Sequence, residues 1–201
     1  SQVSLVFDKT SPQAYGTLIT PICSIISGVG IPELRMNGNI IASGVAINLG
    51  AGTYNFNCNL ASSQNYSYSE NVSSFVINKA IPSLTFLANG GTLNLSLAYP
   101  QQVNITAITN AGTVGLDRNG VSILSENGLN KTLGAGSYIY RANITGNQNY
   151  SDIGYSYYNI TINRGIQTAI LNINESSPII YGKYINATCN GELFRNNINI
   201  T

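Results

Sequence analysis

The feature that most constrains this chain is a pair of short motifs that occurs twice at a constant spacing. Residues 49–58 read Leu-Gly-Ala-Gly-Thr-Tyr-Asn-Phe-Asn-Cys, and residues 133–142 read Leu-Gly-Ala-Gly-Ser-Tyr-Ile-Tyr-Arg-Ala. The motif Gln-Asn-Tyr-Ser follows each copy, at residues 64–67 and 148–151. Both motifs return after 84 residues, from 49 to 133 and from 64 to 148. Self-similarity at a fixed long period indicates tandem copies of one structural unit.

The residues outside these motifs alternate as they do in β-strands. From Leu93 to Ala107 the odd positions are mostly apolar and the even positions mostly polar. This is the period of a strand with one buried face. Asn-Gly pairs at residues 37–38 and 119–120 favour tight hairpins, and helical periodicity is absent. The sequence therefore predicts an all-β chain.

A partial third copy follows the two complete ones. We divide the chain into repeat 1 at residues 1–79, repeat 2 at residues 80–164 and a third segment at residues 165–201, which matches only the first half of a repeat. Half of a unit of this size cannot bury enough apolar area to be stable alone. Two explanations stay open. We expect the chain to be a piece of a longer array, and the alternative is that a strand from another subunit completes the third segment.

The repeated motifs resemble a known family. The run Leu-x-Ala-Gly-x-Tyr, then Gln-Asn-Tyr-Ser and a closing Ile-Asn-Lys-Ala, is similar to the bacterial and archaeal immunoglobulin-like (Big-type) repeats of large cell-surface proteins. The resemblance covers nearly the whole chain, as two full copies and a partial one. It implies tandem immunoglobulin-like β-sandwich domains of about seven to nine strands each. The fold hosts many roles, so it implies little about function.

The cysteines differ between the repeats in a paired way. Repeat 1 carries Cys23 and Cys58, and the equivalent positions of repeat 2 hold Ala107 and Ala142. The resemblance puts these positions on the second and the penultimate strands, which face each other across the sandwich. It thereby implies an inter-sheet disulfide and an oxidising compartment, with two buried free thiols as the alternative. Cys189 matches Cys23 in the third segment, which lacks a counterpart of Cys58.

Sequons of the form Asn-x-Ser/Thr are the second local signal. Their number is about twice what composition alone gives. Asn104 and Asn143 are expected on outward strand faces, and Asn65 and Asn149 fall in equivalent loops. Exposed sites of this kind accept N-glycans, although polar strand faces also collect Asn and Thr for other reasons. The eleven predicted sites are Asn65, Asn71, Asn94, Asn104, Asn130, Asn143, Asn149, Asn159, Asn174, Asn186 and Asn199.

Composition argues against several classes of function. The net charge is +1 without a basic run, so we predict no nucleic-acid partner. No apolar run approaches the roughly 20 residues of a membrane span, so we predict no direct membrane insertion of this segment. The chain has no His, which removes the commonest general base and metal ligand. The acidic residues do not recur as a pair across the repeats. We therefore predict no enzyme activity, no cofactor and no metal.

The tyrosines allow two interpretations. Tyr15, Tyr99 and Tyr181 recur with the repeat, and we interpret them as core or corner residues. A second group has the composition of an aromatic platform for sugars, although packing is the simpler use. This group is Tyr66, Tyr68, Tyr150, Tyr155 and Tyr157.

These observations give three hypotheses for function. The first is a glycosylated structural building block of an extracellular filament, stalk or surface layer that self-associates as a homopolymer and carries covalent N-glycans. Its composition resembles that of archaeal cell-surface proteins. The second is an adhesin that binds carbohydrate or another cell. The third is a spacer from a longer secreted enzyme.

Overall fold

The computed structural model describes residues 1–200, so Thr201, which ends the third segment and completes the Asn199 sequon, lies outside the described residues. Within these residues the chain is all-β apart from a short 3-10 helix at Leu124–Glu126. The strands of repeat 1 are β1 (Gln2–Phe7), β2 (Gln13–Ala14), β3 (Pro21–Ser27), β4 (Glu33–Met36), β5 (Asn39–Ile41), β6 (Gly52–Leu60) and β7 (Ser69–Asn78).

The strands of repeat 1 form two sheets that face each other. One sheet pairs β1 with β3, and the other has the order β2-β7-β6-β4-β5. All pairs are antiparallel except β2 with β7. The side chains of Phe56, Phe75 and Ile77 fill the space between the sheets and are almost fully buried. Phe7 packs edge-on against Phe56, with ring centroids 5.0 Å apart.

Repeat 2 has the same plan with one more paired strand. Its strands are β8 (Leu84–Ala88), β9 (Leu95–Ala98), β10 (Gln102–Thr109), β11 (Thr113–Arg118), β12 (Val121–Ser122), β13 (Asn130–Thr132), β14 (Gly136–Thr145) and β15 (Ile153–Asn163). They form sheets with the orders β13-β10-β8 and β12-β11-β14-β15-β9, over a core in which Tyr140 takes the place of Phe56. In repeat 1 the corresponding sheet is β1 with β3, and in place of a further strand Ile19 forms a bridge with Ile47 and the Ser43 hydroxyl bonds the Cys23 backbone.

Each Asn-Gly pair turns a hairpin, as the sequence predicts. Asn37 and Gly38 connect β4 to β5 with φ of 49° and 85°, and Asn119 and Gly120 connect β11 to β12 with φ of 52° and 83°. A two-residue turn with positive φ at both positions matches the twist of antiparallel strands and favours Asn followed by Gly. In repeat 2 the Gly120 N–H also donates to the Asp117 carboxylate at 3.0 Å.

The apolar alternation from Leu93 to Ala107 holds only in part. Val103 and Ala107 point into the core, but Leu93 is 74% exposed and Tyr99 is 49% exposed. The prediction that the apolar odd positions face the core is therefore wrong at these two positions. A turn at Tyr99 separates β9 from β10, and the two strands belong to different sheets, so one alternation cannot serve both.

The third segment repeats the strand pairing of the other two without a core. Leu171 pairs with Cys189 as Leu5 pairs with Cys23, but no residue from 163 to 200 is buried. The segment thus holds the equivalents of β1, β3, β4 and β5. Its strands are β16 (Leu171–Ile173), β17 (Ala187–Cys189), β18 (Phe194–Arg195) and β19 (Ile198–Asn199).

A disulfide joins the two sheets of repeat 1. Cys23 on β3 and Cys58 on β6 are bonded, with their Cα atoms 5.4 Å apart and both side chains buried. Repeat 2 places Ala107 and Ala142 at the equivalent positions, also buried. Two packed sheets with an inter-sheet disulfide define an immunoglobulin-like β-sandwich.

Replacing both bonded cysteines by alanine should destabilise repeat 1 and leave repeat 2 unchanged. The bond spans 35 residues, and loop-closure entropy for that span is about 4 kcal/mol. Denaturant unfolding of C23A/C58A should show the transition of repeat 1 at a lower denaturant concentration than in the unaltered chain. C189A is the matched control, because this thiol forms no disulfide. An unfolding curve of the double variant that matches that of C189A would contradict this estimate.

Candidate functional site

The Leu-Gly-Ala-Gly-x-Tyr motif forms a tyrosine corner in both repeats. The Tyr54 hydroxyl donates to the Gly50 carbonyl at 2.9 Å, and the Tyr138 hydroxyl donates to the Gly134 carbonyl at 3.0 Å. The ring reaches back four residues and fixes the turn that leads into the strand.

The Gln-Asn-Tyr-Ser motif of repeat 2 contacts the tyrosine corner of repeat 1. The Ala51 N–H donates to Oδ1 of Asn149 at 2.9 Å. A Cβ at Gly50 would lie 3.0 Å from the same oxygen, so glycine permits the close approach. The rings of Tyr15 and Tyr150 meet edge to face at 5.4 Å, a favoured aromatic geometry. We call this contact, formed by these five residues, the inter-repeat joint.

Backbone hydrogen bonds tie the linker between the repeats into the joint. The Ala80 N–H donates to the Asn149 carbonyl at 3.0 Å, and the Ser151 N–H donates to the Ala80 carbonyl at 2.9 Å. The linker is therefore paired with the same loop that contacts the tyrosine corner. Contacts on both sides of the link restrict bending between the two sandwiches, in contrast to a flexible linker.

Sequence reasoning finds the two motifs but misses that they meet. Asn149 and Tyr150 were predicted as a glycosylation site and a sugar-platform residue, and the structure brings both into the joint. The sequence does contain an indication of this contact, because the corner motif and the loop motif are separated by the same number of residues in both repeats. A contact between the corner of one repeat and the loop of the next requires both motifs in every repeat.

The interpretation of Tyr15, Tyr99 and Tyr181 as core or corner residues is correct only for Tyr15. Tyr15 is half-buried against the core of repeat 1, whereas Tyr99 is half exposed and Tyr181 is fully exposed. The corner role belongs to Tyr54 and Tyr138, because only a ring at the start of β6 or β14 can reach back to the turn. Tyr181 lies in the segment that has no core.

The predicted glycosylation sites differ in how their side chains are used. Asn104, Asn143 and Asn149 are half-buried. The Asn104 Nδ2, the atom that would carry a sugar, donates to the Gly128 carbonyl and to Asn130 Oδ1, both at 2.9 Å. The other eight are exposed, and they are Asn65, Asn71, Asn94, Asn130, Asn159, Asn174, Asn186 and Asn199.

An aromatic and charged cleft lies on the outer face of the larger sheet of repeat 2. The Arg141 guanidinium lies 4.8 Å from the centre of the Tyr155 ring and bonds the Asp117 carboxylate at 2.9 and 3.0 Å. The hydrogen bond to Asp117 raises the pKa of Arg141. Tyr157 and Asn159 continue the cleft along β15. Tyr155 and Tyr157 are thus brought together, while Tyr66 and Tyr150 lie elsewhere.

The described residues offer little for catalysis. They contain no group of three or more Cys, Asp or Glu that could hold a metal ion. Several carboxylates are engaged in ion pairs, such as Glu126 with Arg118 at 2.9 Å and Glu33 with Arg35. Between residues 1 and 200, no helix has the length and apolar character to cross a membrane.

Comparisons with known proteins give distant likenesses. No family model and no curated protein matches the chain. The fibronectin(III)-like modules of Clostridium thermocellum CbhA are 11% identical over 80% of this chain and 95% of theirs, with a TM-score of 0.32. Sidekick-1 immunoglobulin domains 1–4 are 14% identical over 98% of this chain and 62% of theirs, with a TM-score of 0.33.

A further likeness is to domains 4–9 of the surface layer protein SbsC. It is 10% identical and covers 89% of this chain and 34% of that structure, with a TM-score of 0.35. Each of these TM-scores lies below 0.5, so we draw no conclusion about the fold or function of this chain from these similarities. The immunoglobulin-like fold is defined by the chain's own sheets, disulfide and tyrosine corners.

Replacing Asn149 by alanine should loosen the inter-repeat joint. The change removes the acceptor of the Ala51 N–H, a hydrogen bond worth about 1 kcal/mol. In unglycosylated protein, small-angle scattering and residual dipolar couplings should show a wider range of angles between the repeats. N65A is the matched control, because Asn65 occupies the same loop position in repeat 1 and makes no such bond. Equal behaviour of the two variants would show that the Asn149 side chain does not hold the joint.

Proposed function

We propose that this chain is part of an extracellular structural protein, an N-glycosylated building block of a filament, stalk or surface layer. The inter-repeat joint carries the proposal. A chain whose repeats contact each other through a recurring pair of motifs stacks into an extended rod, as a solenoid or array does. A structural protein that must be long and resist bending needs this arrangement of repeats, and it needs no catalytic side chains.

Three other observations support the proposal. Eight of the eleven sequons have exposed Asn side chains, which glycosylation requires. The disulfide of repeat 1 suits an oxidising compartment. The net charge of +1 gives no field that would attract nucleic acid. We place the chain with the bacterial and archaeal Big-type immunoglobulin-like repeats on its Leu-x-Ala-Gly-x-Tyr motif, and we propose an archaeal source.

Glycopeptide analysis of native protein tests the glycan part of this proposal. We expect sugar on the exposed sites with unbonded side chains, such as Asn65, Asn71 and Asn159. We expect low occupancy at Asn104 and Asn149, whose amide groups are bonded within the fold. Native peptides that cover the eleven sequons and all have the bare peptide mass would contradict glycosylation. Electron microscopy of the native material tests the structural role, which predicts extended polymers or arrays at the cell surface.

An adhesin is the second candidate, and the cleft beside Arg141 favours it. Two exposed tyrosines and an arginine on one sheet face offer stacking surfaces and donors for a sugar. Repeat 1 has Asn57 and Val72 at the positions of Arg141 and Tyr157, judged by the strand register. A cleft is present at this place in repeat 1 as well, lined by Arg35, Asn57 and Val72, but no tyrosine lines it, so the aromatic lining is specific to repeat 2.

A glycan array on the unglycosylated chain distinguishes the adhesin from the structural protein. Saturable binding to a glycan whose affinity falls at least tenfold in Y157A would favour the adhesin. A tenfold fall corresponds to a loss of about 1.4 kcal/mol of binding free energy. V72A is the matched control, since it changes the equivalent position of repeat 1. The structural proposal predicts no binding to the array by any of the three proteins.

A further inference from the structure

The cleft on the outer face of repeat 2 has a glycosylation sequon in its own lining. Asn159, the first residue of the sequon Asn159-Ile160-Thr161, lines the cleft together with Tyr157. The Asn159 side chain is exposed, and its amide makes no hydrogen bond within residues 1–200. Only its backbone N–H is bonded, to Oδ1 of Asn94 at 2.8 Å. A sugar linked to Asn159 would therefore begin at the wall of the cleft.

The geometry of β15 places an aromatic ring beside this attachment point. Tyr157 and Asn159 are two residues apart on the strand, so both side chains point to the same face of the sheet, with their Cα atoms about 7 Å apart. One sugar ring linked to Nδ2 can span that distance. Tyr157 is 57% exposed, so its ring is open to a ligand. The apolar C–H face of a pyranose sugar packs well on such a ring.

The neighbouring strand β14 supplies the rest of the floor. In the register of β14 with β15, Ile139 lies opposite Asn159 and Arg141 lies opposite Tyr157. Residues paired in this way have Cβ atoms about 5 Å apart. Ile139 is 49% exposed and adds apolar surface directly beside the sequon. The apolar part of the cleft therefore lies next to the attachment point, and Arg141 lies further along.

The polar side chains of the cleft are held in place and keep donors for a sugar. Both hydrogen bonds from Arg141 to the Asp117 carboxylate use Nε, which leaves the two terminal nitrogens to donate to hydroxyl groups. Asn119 accepts the Ile139 N–H at Oδ1, which leaves its Nδ2 as a donor. Because Asp117 balances the charge of Arg141, the cleft suits a neutral sugar better than an acidic one.

The sequon and the aromatic ring occur together in repeat 2 and are both missing from repeat 1. The strand register aligns Asn159 with Ser74 and Tyr157 with Val72. Ser74 and Val72 line the cleft of repeat 1, which therefore has neither a sugar acceptor nor a ring to pack on it. A cleft for an outside sugar would need the ring alone. The joint presence of ring and sequon favours a sugar linked to Asn159 as the occupant.

We propose that the cleft of repeat 2 holds the protein's own N-glycan, attached at Asn159, with its first sugar packed on the Tyr157 ring. Covalent attachment keeps the sugar beside the ring at an effective concentration on the order of millimolar. The contact therefore forms even when a free sugar of the same kind binds too weakly to be measured. The seated glycan covers the cleft and excludes an outside sugar. The inference rests on the N-glycosylation in the proposed function and gives one glycan its binding surface.

NMR spectroscopy of the native, glycosylated chain tests the proposal. We expect nuclear Overhauser contacts between the Tyr157 ring and the sugar on Asn159, and upfield shifts of the sugar protons that lie over the ring. Y157A should lose both the contacts and the shifts, and the variant should fold because Tyr157 is exposed. Y68A is the matched control, because Tyr68 is a similarly exposed tyrosine of repeat 1, and it should leave the sugar signals unchanged.

The same samples distinguish a failure of this inference from a failure of the proposed function. Sugar on Asn159 whose signals are identical in the unaltered chain and Y157A would overturn the inference and leave glycosylation in place. Sugar on other sequons with Asn159 bare would do the same. The absence of sugar from all eleven sequons would overturn both. An outside glycan that binds the glycosylated chain and no longer binds Y157A would overturn the inference in favour of the adhesin.

Discussion

The hydrogen bond from the Tyr54 hydroxyl to the Gly50 carbonyl organises more of this protein than its own turn. It holds the chain entering β6 in one conformation, and β6 contributes Phe56 and Cys58 to the core. The same turn presents the Ala51 N–H to the next repeat. Strand entry, core packing and inter-repeat contact thus depend on one residue pair. Its recurrence as Tyr138 and Gly134 gives the second sandwich the same strand entry, and β14 contributes Tyr140 and Ala142 to the second core.

The sequence predicts the parts of the structure that local chemistry decides. Asn-Gly pairs determine the hairpins because few other pairs tolerate two positive φ angles. The paired change from Cys to Ala identifies the facing positions Cys23 and Cys58. The sequence does not predict that Tyr99 is exposed, because the same alternation pattern fits a strand end and a turn. Nor does it predict that Asn149 contacts Ala51, because that contact depends on how two domains sit together.

The sequons show how one residue type serves two purposes on a chain with few charges. Asparagine takes the place of charged residues on the outer faces, and its amide both donates and accepts hydrogen bonds. Asn104 uses that capacity inside its own sheet, Asn149 uses it between repeats, and exposed residues such as Asn71 leave it free. Surface position alone therefore does not say whether the side-chain amide of a sequon is free. The hydrogen bonds that the amide already makes must be considered as well.

The parallel pairing of β2 with β7 and of β9 with β15 has a mechanical consequence. A pull on the two ends of a repeat shears these pairs, since they join the first part of each repeat to its last strand. Repeat 1 has two residue pairs there and repeat 2 has four, so repeat 1 is the weaker under tension. Its disulfide, however, spans 35 residues that cannot extend after the pairs separate. When force unfolds repeat 1, the chain therefore lengthens by less than when force unfolds repeat 2, which has no disulfide.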